Sequence, residues 1–261
     1  MRIASLSPAV TETLVSLGLE DEIVGVTPWC KMYLNDMGKE VVGTYRSILF
    51  DKLKEAKPDV VFLQSRVHDK MVDVVRSEGF NAHLVPLPTN IYSLISHVIV
   101  DVGGIVNRYY ESRELGERLL SKILKISEKT ANVRRLKVYV EYLWPDGTFS
   151  SAGMFTFIDD GVRIAGGENI FRDIPAEFFK PSDEEIIYRN PEVILVSIEP
   201  SLSKLTTEGY QRIRKPLENA RAFRENKVIL VKESRGMNLA HFGPSFIDTV
   251  ERLTEEFEKL R

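Results

Sequence analysis

The sequence predicts an α/β protein: two lobes with parallel sheets, joined by one long α-helix, with a ligand cleft between the lobes. Three observations predict it. Short β-branched runs alternate with helical patterns along the chain, as expected of parallel strands with crossover helices. The alternation comes in two series, on either side of one long amphipathic stretch at 107–129. One phrase also recurs. Phe50-Asp51-Lys52-Leu53-Lys54-Glu55-Ala56-Lys57-Pro58-Asp59-Val60-Val61-Phe62-Leu63 and Asp183-Glu184-Glu185-Ile186-Ile187-Tyr188-Arg189-Asn190-Pro191-Glu192-Val193-Ile194-Leu195-Val196 each read as helix, proline–acid turn and buried strand, 133 positions apart. Lobe duplication accounts for that repeat. The expected boundaries are 1–106 for the first lobe, 107–130 for the connecting helix and 131–261 for the second lobe.

In the first series, 2–5, 23–26, 41–42, 60–63 and 83–85 read as strands, and 10–17, 48–56 and 68–78 as helices. Ser7-Pro8 marks a helix start, because a serine oxygen can accept an orphan amide and proline loses nothing at the first helical position. Gly18 and Gly79 stand where a left-handed stop is expected. The helix at 107–129 carries Tyr109, Leu115, Leu119, Leu120, Ile123, Leu124 and Ile126 on a charged background, and at ~1.5 Å per residue it would run about 35 Å. A strut of that kind predicts small rocking motions between lobes. In the second series 136–143, 193–197 and 228–231 read as strands, and 161–165, 183–188 and 244–260 as helices.

Composition narrows the function. The chain has 261 residues, 43% of them apolar, with 35 Lys+Arg against 38 Asp+Glu and a formal charge of −3. No summed positive field exists for a nucleic-acid backbone or an anionic membrane, and no nucleic-acid partner is expected. A single cysteine, Cys30, excludes a disulfide framework and a multi-thiolate metal cage. The four histidines, at 68, 83, 97 and 241, show no metal-ligand spacing, so no metal site is expected of the protein itself. The longest apolar stretch, 94–106, is broken by Ser96, His97, Asp101 and two glycines, too short and too polar to span a bilayer. As written, the start at Met1 shows no leader. That predicts a soluble, cytoplasmic chain, or an extracytoplasmic one if a leader has been removed.

Catalytic motifs are absent. Gly166-Gly167 lacks dinucleotide and phosphate-loop spacing, and no nucleophile elbow is present. The acidic pairs Asp159-Asp160, Glu184-Glu185 and Glu255-Glu256 read as solvated charge. No catalytic residue is therefore assigned. Aromatic and amphipathic residues cluster instead in loops after strands, where open α/β sheets bind ligands. The candidate ligand-binding residues are Trp29, Tyr45, Arg46, Gln64, Ser65 and Arg66 in the first series. Tyr142, Trp144, Phe155, Arg235, Met237, His241 and Phe242 belong to the second. Rings with a few arginines suit a large, flat, partly anionic small molecule. Phe149, Phe155 and Phe242 are equally at home in a core.

Several phrases carry a resemblance. Arg2-Ile3-Ala4-Ser5-Leu6-Ser7-Pro8-Ala9-Val10-Thr11-Glu12-Thr13-Leu14, Val24-Gly25-Val26-Thr27, Val42-Gly43, Lys57-Pro58-Asp59-Val60-Val61 and Gly166-Gly167-Glu168-Asn169-Ile170-Phe171 resemble the helical-backbone (class III) substrate-binding proteins of ABC transporters. Vitamin B12-binding, iron–siderophore-binding and haem-binding periplasmic proteins belong to that class. The resemblance spans nearly the whole chain, in order. It implies two Rossmann-like lobes bridged by one helix, a ligand held in the cleft, and delivery to a membrane permease. It also implies an acidic docking residue on each lobe that meets permease arginines, here Asp51, with Glu218 assigned for the second lobe. Two phrases depart from the relatives: Cys30-Lys31-Met32-Tyr33-Leu34 stands where Cys-Asp-Tyr-Pro is common, and Gly243-Pro244-Ser245 where Gly-Pro-Arg is.

The expected function is thus non-catalytic binding of a bulky metal chelate by a monomer, for delivery to an ABC transporter permease. A cobalamin or other corrinoid comes first, a ferric siderophore or haem second. No cofactor is expected beyond the cobalt or iron such a ligand contains. The alternatives are a cytoplasmic corrinoid or metal-chelate carrier or sensor, and a metal-cluster or chelatase-like enzyme in which Cys30 and His241 would act together. A pure interaction module is a third reading, marked by a broad apolar surface patch.

Overall fold

Four short, largely apolar runs near the amino terminus become strands, the two central ones buried on both faces as parallel sheets require and the two outer ones partly exposed. They are β1 (Ile3–Ser5), β2 (Ile23–Val26), β3 (Val60–Gln64) and β4 (Ala82–Val85), all parallel in the order β2-β1-β3-β4. The crossovers carry α1 (Pro8–Ser16), α2 (Phe50–Ala56) and α3 (Val72–Ser77). This computed structural model describes residues 1–261. By contact the chain divides into two compact units. Unit 1 is Met1–Pro88, Tyr92–Leu120 and His241–Pro244; unit 2 is Thr89–Ile91, Ser121–Ala240 and Ser245–Arg261.

Unit 2 is built on β5 (Leu136–Leu143), β6 (Phe149–Ala152), β7 (Gly167–Asn169), β8 (Phe178–Phe179), β9 (Val193–Ile198) and β10 (Val228–Lys232). Of these, β7, β5, β9 and β10 are parallel neighbours in that order, which reproduces the first sheet. β6 and β8 are antiparallel additions at the edge. Along the chain between β4 and β5 come α4 (Ile91–Ser93), a π-helical stretch Leu94–Val100, α5 (Asp101–Ile105) and the long α6 (Tyr109–Thr130). Unit 2 adds α7 (Phe157–Ile164), α8 (Asp183–Arg189), α9 (Thr207–Ile213), α10 (Arg221–Arg224) and α11 (Phe246–Leu260). Helix α6 contributes its first half to unit 1 and its second to unit 2. In unit 2 its Lys122 bridges Asp248 and Glu251, each at 2.7 Å, tying α6 to α11.

The repeated phrase is a repeated structure. Lys57 (φ +45°) and Asn190 (φ +53°), 133 positions apart, each end their helix in the left-handed conformation. Asp59 Oδ2 accepts from the Arg2 N–H at 2.7 Å, and Glu192 Oε2 accepts from the Lys137 N–H at 3.1 Å. The acids' own N–H groups return bonds to the Arg2 and Lys137 carbonyls at 2.7 and 2.8 Å. The acid after proline thus clips the amino end of one strand to the start of its neighbour. It does so by satisfying a backbone donor that the ladder leaves over.

Local differences from expectation have local causes. Pro8 stands at the first helical position, but the Ser7 hydroxyl donates to Gln64 Oε1 at 3.2 Å in place of capping α1. Gly18 and Gly79 do take positive φ. Asn107 lies at φ +58° and cannot be helical, so α6 starts at Tyr109. The helix expected over 68–78 begins only at Val72, because His68 is bonded back to β3. The helix expected at 161–165 starts earlier, at Phe157, where the Thr156 hydroxyl caps the Asp159 N–H at 3.1 Å.

Candidate functional site

In a parallel sheet every carboxyl end lies at one edge, so the loops after β1, β2 and β3 are neighbours in unit 1. After β2 the chain turns through a 3-10 helix at Pro28–Tyr33 whose cap is Thr27. That turn buries Cys30 and leaves Trp29 42% exposed. Tyr45 packs against Trp29 with ring centroids 4.4 Å apart and the rings tilted by 45°, a close aromatic contact. Tyr45 and the exposed Arg46 ride on a tight turn closed by Thr44 N–H to Ser47 O at 2.8 Å, with Thr44 Oγ1 accepting from the Arg46 and Ser47 amides. After β3, Ser65 Oγ accepts from the Leu87 N–H at 2.7 Å, and Arg66 takes φ +68° with its amide on Asp69.

His68 joins these two loops. Its ring is fully buried; Nδ1 accepts from the Gln64 N–H at 3.1 Å, and Nε2 faces Thr44 O at 3.2 Å. An amide can only donate and a carbonyl only accept, so the partners dictate a neutral ring with its proton on Nε2. Burial holds the ring's pKa below the usual imidazole value, against the pull of the Thr44 and Gln64 backbone and Asp69.

His241 and Phe242, which follow the last strand of the second series in sequence, both belong to unit 1 and are buried. His241 Nε2 pairs with Glu12 Oε2 at 2.5 Å, and Tyr33 stacks on the ring at 4.0 Å. A Cβ at Gly243 would strike both Glu12 and His241, which explains glycine there. Cys30 is committed elsewhere, its sulfur 3.1 Å from Thr27 Oγ1 and 3.4 Å from Ser5 O. Burial raises its thiol pKa, so it is a poor nucleophile. Cys30 and His241 thus bond to different partners and form no couple. No group of three or more His, Cys, Asp or Glu side chains stands together to hold a metal.

In unit 2, Trp144 leaves β5 at its carboxyl end and is 40% exposed on a turn closed by Trp144 N–H to Thr148 O at 2.9 Å. Tyr142, one turn of the pleat earlier, is buried; its hydroxyl donates to Leu239 O at 3.0 Å and its ring meets Phe178 edge-on at 5.5 Å. Phe178 is 43% exposed on β8, an element sequence reading missed along with β6 and β7. A two-residue strand has no periodicity to detect. Phe155 is 46% exposed but follows β6, which runs back from the carboxyl edge, and its amide bonds to Ala176 O. After β10, Arg235 is exposed in a turn, and Met237 closes that turn on Ser234. Glu199 and Glu233 directly follow the paired ends Ile198 and Lys232 of β9 and β10. Burial and the Glu199 charge push the Glu233 carboxyl up to about 7.

Behind this edge lies a buried polar network. Glu141 Oε2 accepts from the Tyr139 hydroxyl at 2.8 Å and from Arg214 Nε at 2.9 Å, and Arg214 also reaches Asp183 Oδ1 at 2.7 Å. The guanidinium lies 3.6 Å from the centroid of Phe149. Phe149 opens β6 opposite Leu143, so the network supports the turn that displays Trp144.

Asp51 is exposed in the first turn of α2, a helix that descends toward the amino end of β3. Its partner by the internal repeat is Glu184, exposed in the first turn of α8, and the 133-residue offset was the signal that could have found it. Glu218 sits in the 3-10 turn Lys215–Asn219, next to the segment where Ala222 N–H bonds Pro191 O before β9 begins. That is the amino-end side of the sheet.

Comparison with known proteins bears on the fold and the family. The chain is 21% identical over 261 residues to the cobalamin-binding protein of Halobacterium salinarum (strain ATCC 29341 / DSM 671 / R1), covering 98% of this chain and 69% of that protein. Among solved structures, the periplasmic heme-binding protein RhuT from Roseiflexus sp. RS-1 superposes with a TM-score of 0.86 at 21% identity, covering 99% of this chain and 98% of that one. The periplasmic vitamin B12-binding protein BtuF of Vibrio cholerae gives 0.81 at 17%, covering 99% and 97%. These likenesses establish the fold. Residues 3–234 match the family model described as periplasmic binding protein, and the chain belongs to that family.

Proposed function

We propose that this protein is a non-catalytic binding protein for a bulky metal chelate, a corrinoid first and a haem or ferric siderophore second, which it hands to an ABC transporter permease. The observation that carries the reading is the set of large rings left exposed on each unit: Trp29 beside Tyr45 on unit 1, and Trp144 and Phe178 on unit 2. Burying such rings against a macrocycle yields ~1.5–3 kcal/mol each from area alone. Glu199 and Glu233 at the ends of β9 and β10 disfavour a strongly anionic guest and favour one fringed with neutral amides. Arg46, Arg66 and Arg235 are all exposed and leave the anionic chelates as the second reading. The relatives named for cobalamin and heme bear on the same two classes.

In this reading Tyr45, Arg46, Gln64, Ser65 and Arg66 line the unit 1 loops with Trp29, while Trp144, Phe155, Phe178, Arg235 and Met237 serve from unit 2. Tyr142, His241 and Phe242 are buried and act by supporting those loops. The docking acids are Asp51 and its repeat partner Glu184, in preference to Glu218. No helix is long and apolar enough to cross a membrane, and the protein acts as a monomer outside the membrane it serves. Purified protein is mixed in turn with cyanocobalamin, haemin and a ferric siderophore, desalted, and scanned in the visible. Retention of cyanocobalamin in a 1:1 ratio supports the corrinoid reading; retention of haemin or the siderophore alone moves the assignment to that class, and retention of none refutes the function.

A further inference from the structure

We propose that His68 is the positioning residue of the unit 1 ligand loops: its neutral imidazole bridges Thr44 O to the Gln64 N–H, holds Tyr45 and Arg46 beside Gln64–Arg66, and lets go when the ring is protonated. The inference rests on the binding function above but is carried by geometry that stands without it. His68 is fully buried between β3 and α3, and both ring nitrogens are used, Nδ1 at 3.1 Å from the Gln64 nitrogen and Nε2 at 3.2 Å from Thr44 O. Its own amide bonds back to Gln64 O at 2.9 Å, so the ring is anchored at the strand end.

The Thr44–Ser47 turn is closed upon itself, is bridged from Gly43 to Ile48, and carries Tyr45 packed on Trp29. The His68 ring is therefore a direct tie from that turn to the β3 loop. Both segments carry candidate ligand contacts, and Tyr45 in turn supports the Trp29 ring. A proton placed on Nδ1 would point at the Gln64 N–H, donor against donor, and the loop contact would break. The charged group that bears on the ring is Asp69, whose carboxylate accepts from the Arg66 N–H at 2.9 Å. Asp69 favours the protonated ring, but burial outweighs it. The consequence is a loop pair that is ordered at neutral pH and loosens in acid, with ligand affinity falling alongside.

The test titrates cyanocobalamin into wild-type protein, His68→Gln and His68→Leu from about pH 7.5 to about pH 5, with ring nitrogens followed by 15N NMR on ligand-free wild type. Wild-type affinity is expected to fall by up to about tenfold per pH unit once the ring titrates, the limiting slope for one coupled proton. His68→Gln keeps a side-chain N–H for Thr44 O and should bind within about tenfold of wild type at neutral pH with a flat profile. His68→Leu should bind more weakly throughout. NMR should show the proton on Nε2 at neutral pH, with the Thr44–Ser47 and Gln64–Arg66 amides shifting together as the ring titrates. A His68→Gln profile as steep as wild type, a flat wild-type profile, a proton on Nδ1 at neutral pH, or loop amides that ignore the ring would each overturn the proposal. If no cyanocobalamin binds while the coupled NMR titration is present, the corrinoid reading fails and the positioning role stands.

Discussion

Replacing Arg214 by methionine removes the cation from a fully buried carboxylate. Glu141 Oε2 would retain only the Tyr139 hydroxyl, and its Oε1 already has no hydrogen-bond partner. Breaking a buried pair by deleting one member costs ~3–5 kcal/mol, because the remaining charge is stranded. The lost contact between the guanidinium and Phe149 adds to that figure. Burial already raises the Glu141 carboxyl pKa, and Arg214 is the chief influence pulling it back down, so in the variant it climbs further. The sign follows from linkage. A carboxyl whose folded pKa exceeds its unfolded value contributes fully below the unfolded value and loses that contribution as pH rises through the folded one. The stability deficit of Arg214→Met should therefore be largest near neutrality and shrink toward about pH 5. Urea unfolding followed by circular dichroism at both pH values measures it. Arg214→Met combined with Glu141→Gln should recover at least ~2 kcal/mol at neutral pH. A single-variant loss below ~1 kcal/mol, or a deficit that grows in acid, would refute the reasoning.

Two further predictions concern single positions. Asp51→Ala and Glu184→Ala should leave cyanocobalamin affinity unchanged and weaken stimulation of the permease ATPase, since both side chains are exposed on helix first turns; Glu218→Ala should leave stimulation intact, and the reverse pattern would reinstate Glu218. Cys30 should react with a thiol reagent only at the rate of unfolding, because it is fully buried with its thiol pKa raised. Rapid labelling of the native protein would contradict that environment.

Much of this architecture was legible in the sequence, and the internal repeat was its most informative part. The phrase Lys57-Pro58-Asp59 against Asn190-Pro191-Glu192 was read as helix, turn and strand, and the structure adds the reason. Each acid clips an amide at the start of a neighbouring strand, so the spacing between helix end and strand start is under a physical constraint. Periodicity also found the long helix, whose start it missed by two residues because Asn107 takes a positive φ. It could not find β6, β7 and β8, which run two to four residues and draw their stability from neighbours.

The candidate site was legible to a lesser depth. Trp29 and Trp144 read as ligand contacts in loops after strands, and both are exposed. Tyr142, His241 and Phe242 proved buried, which spacing could not show: Tyr142 bonds to Leu239, and His241 meets both Glu12 and Tyr33, all far away in sequence. His68 carried no signal at all, since a lone histidine in a turn looks the same whether or not its nitrogens are used. Glu141 and Arg214 meet across 73 positions, and nothing local marks either as buried.

The central claim of the proposed function, that the exposed rings Trp29 and Trp144 are contacts for a bulky chelate, is tested most directly by calorimetric titration of cyanocobalamin into wild type, Trp29→Ala and Trp144→Ala. The expected result is one molecule bound per chain with a negative heat-capacity change, and a loss of about fivefold to a hundredfold in affinity for each variant, as expected when a buried ring is removed from a contact. Affinity indifferent to both substitutions, or no heat at all for wild type, would contradict the account.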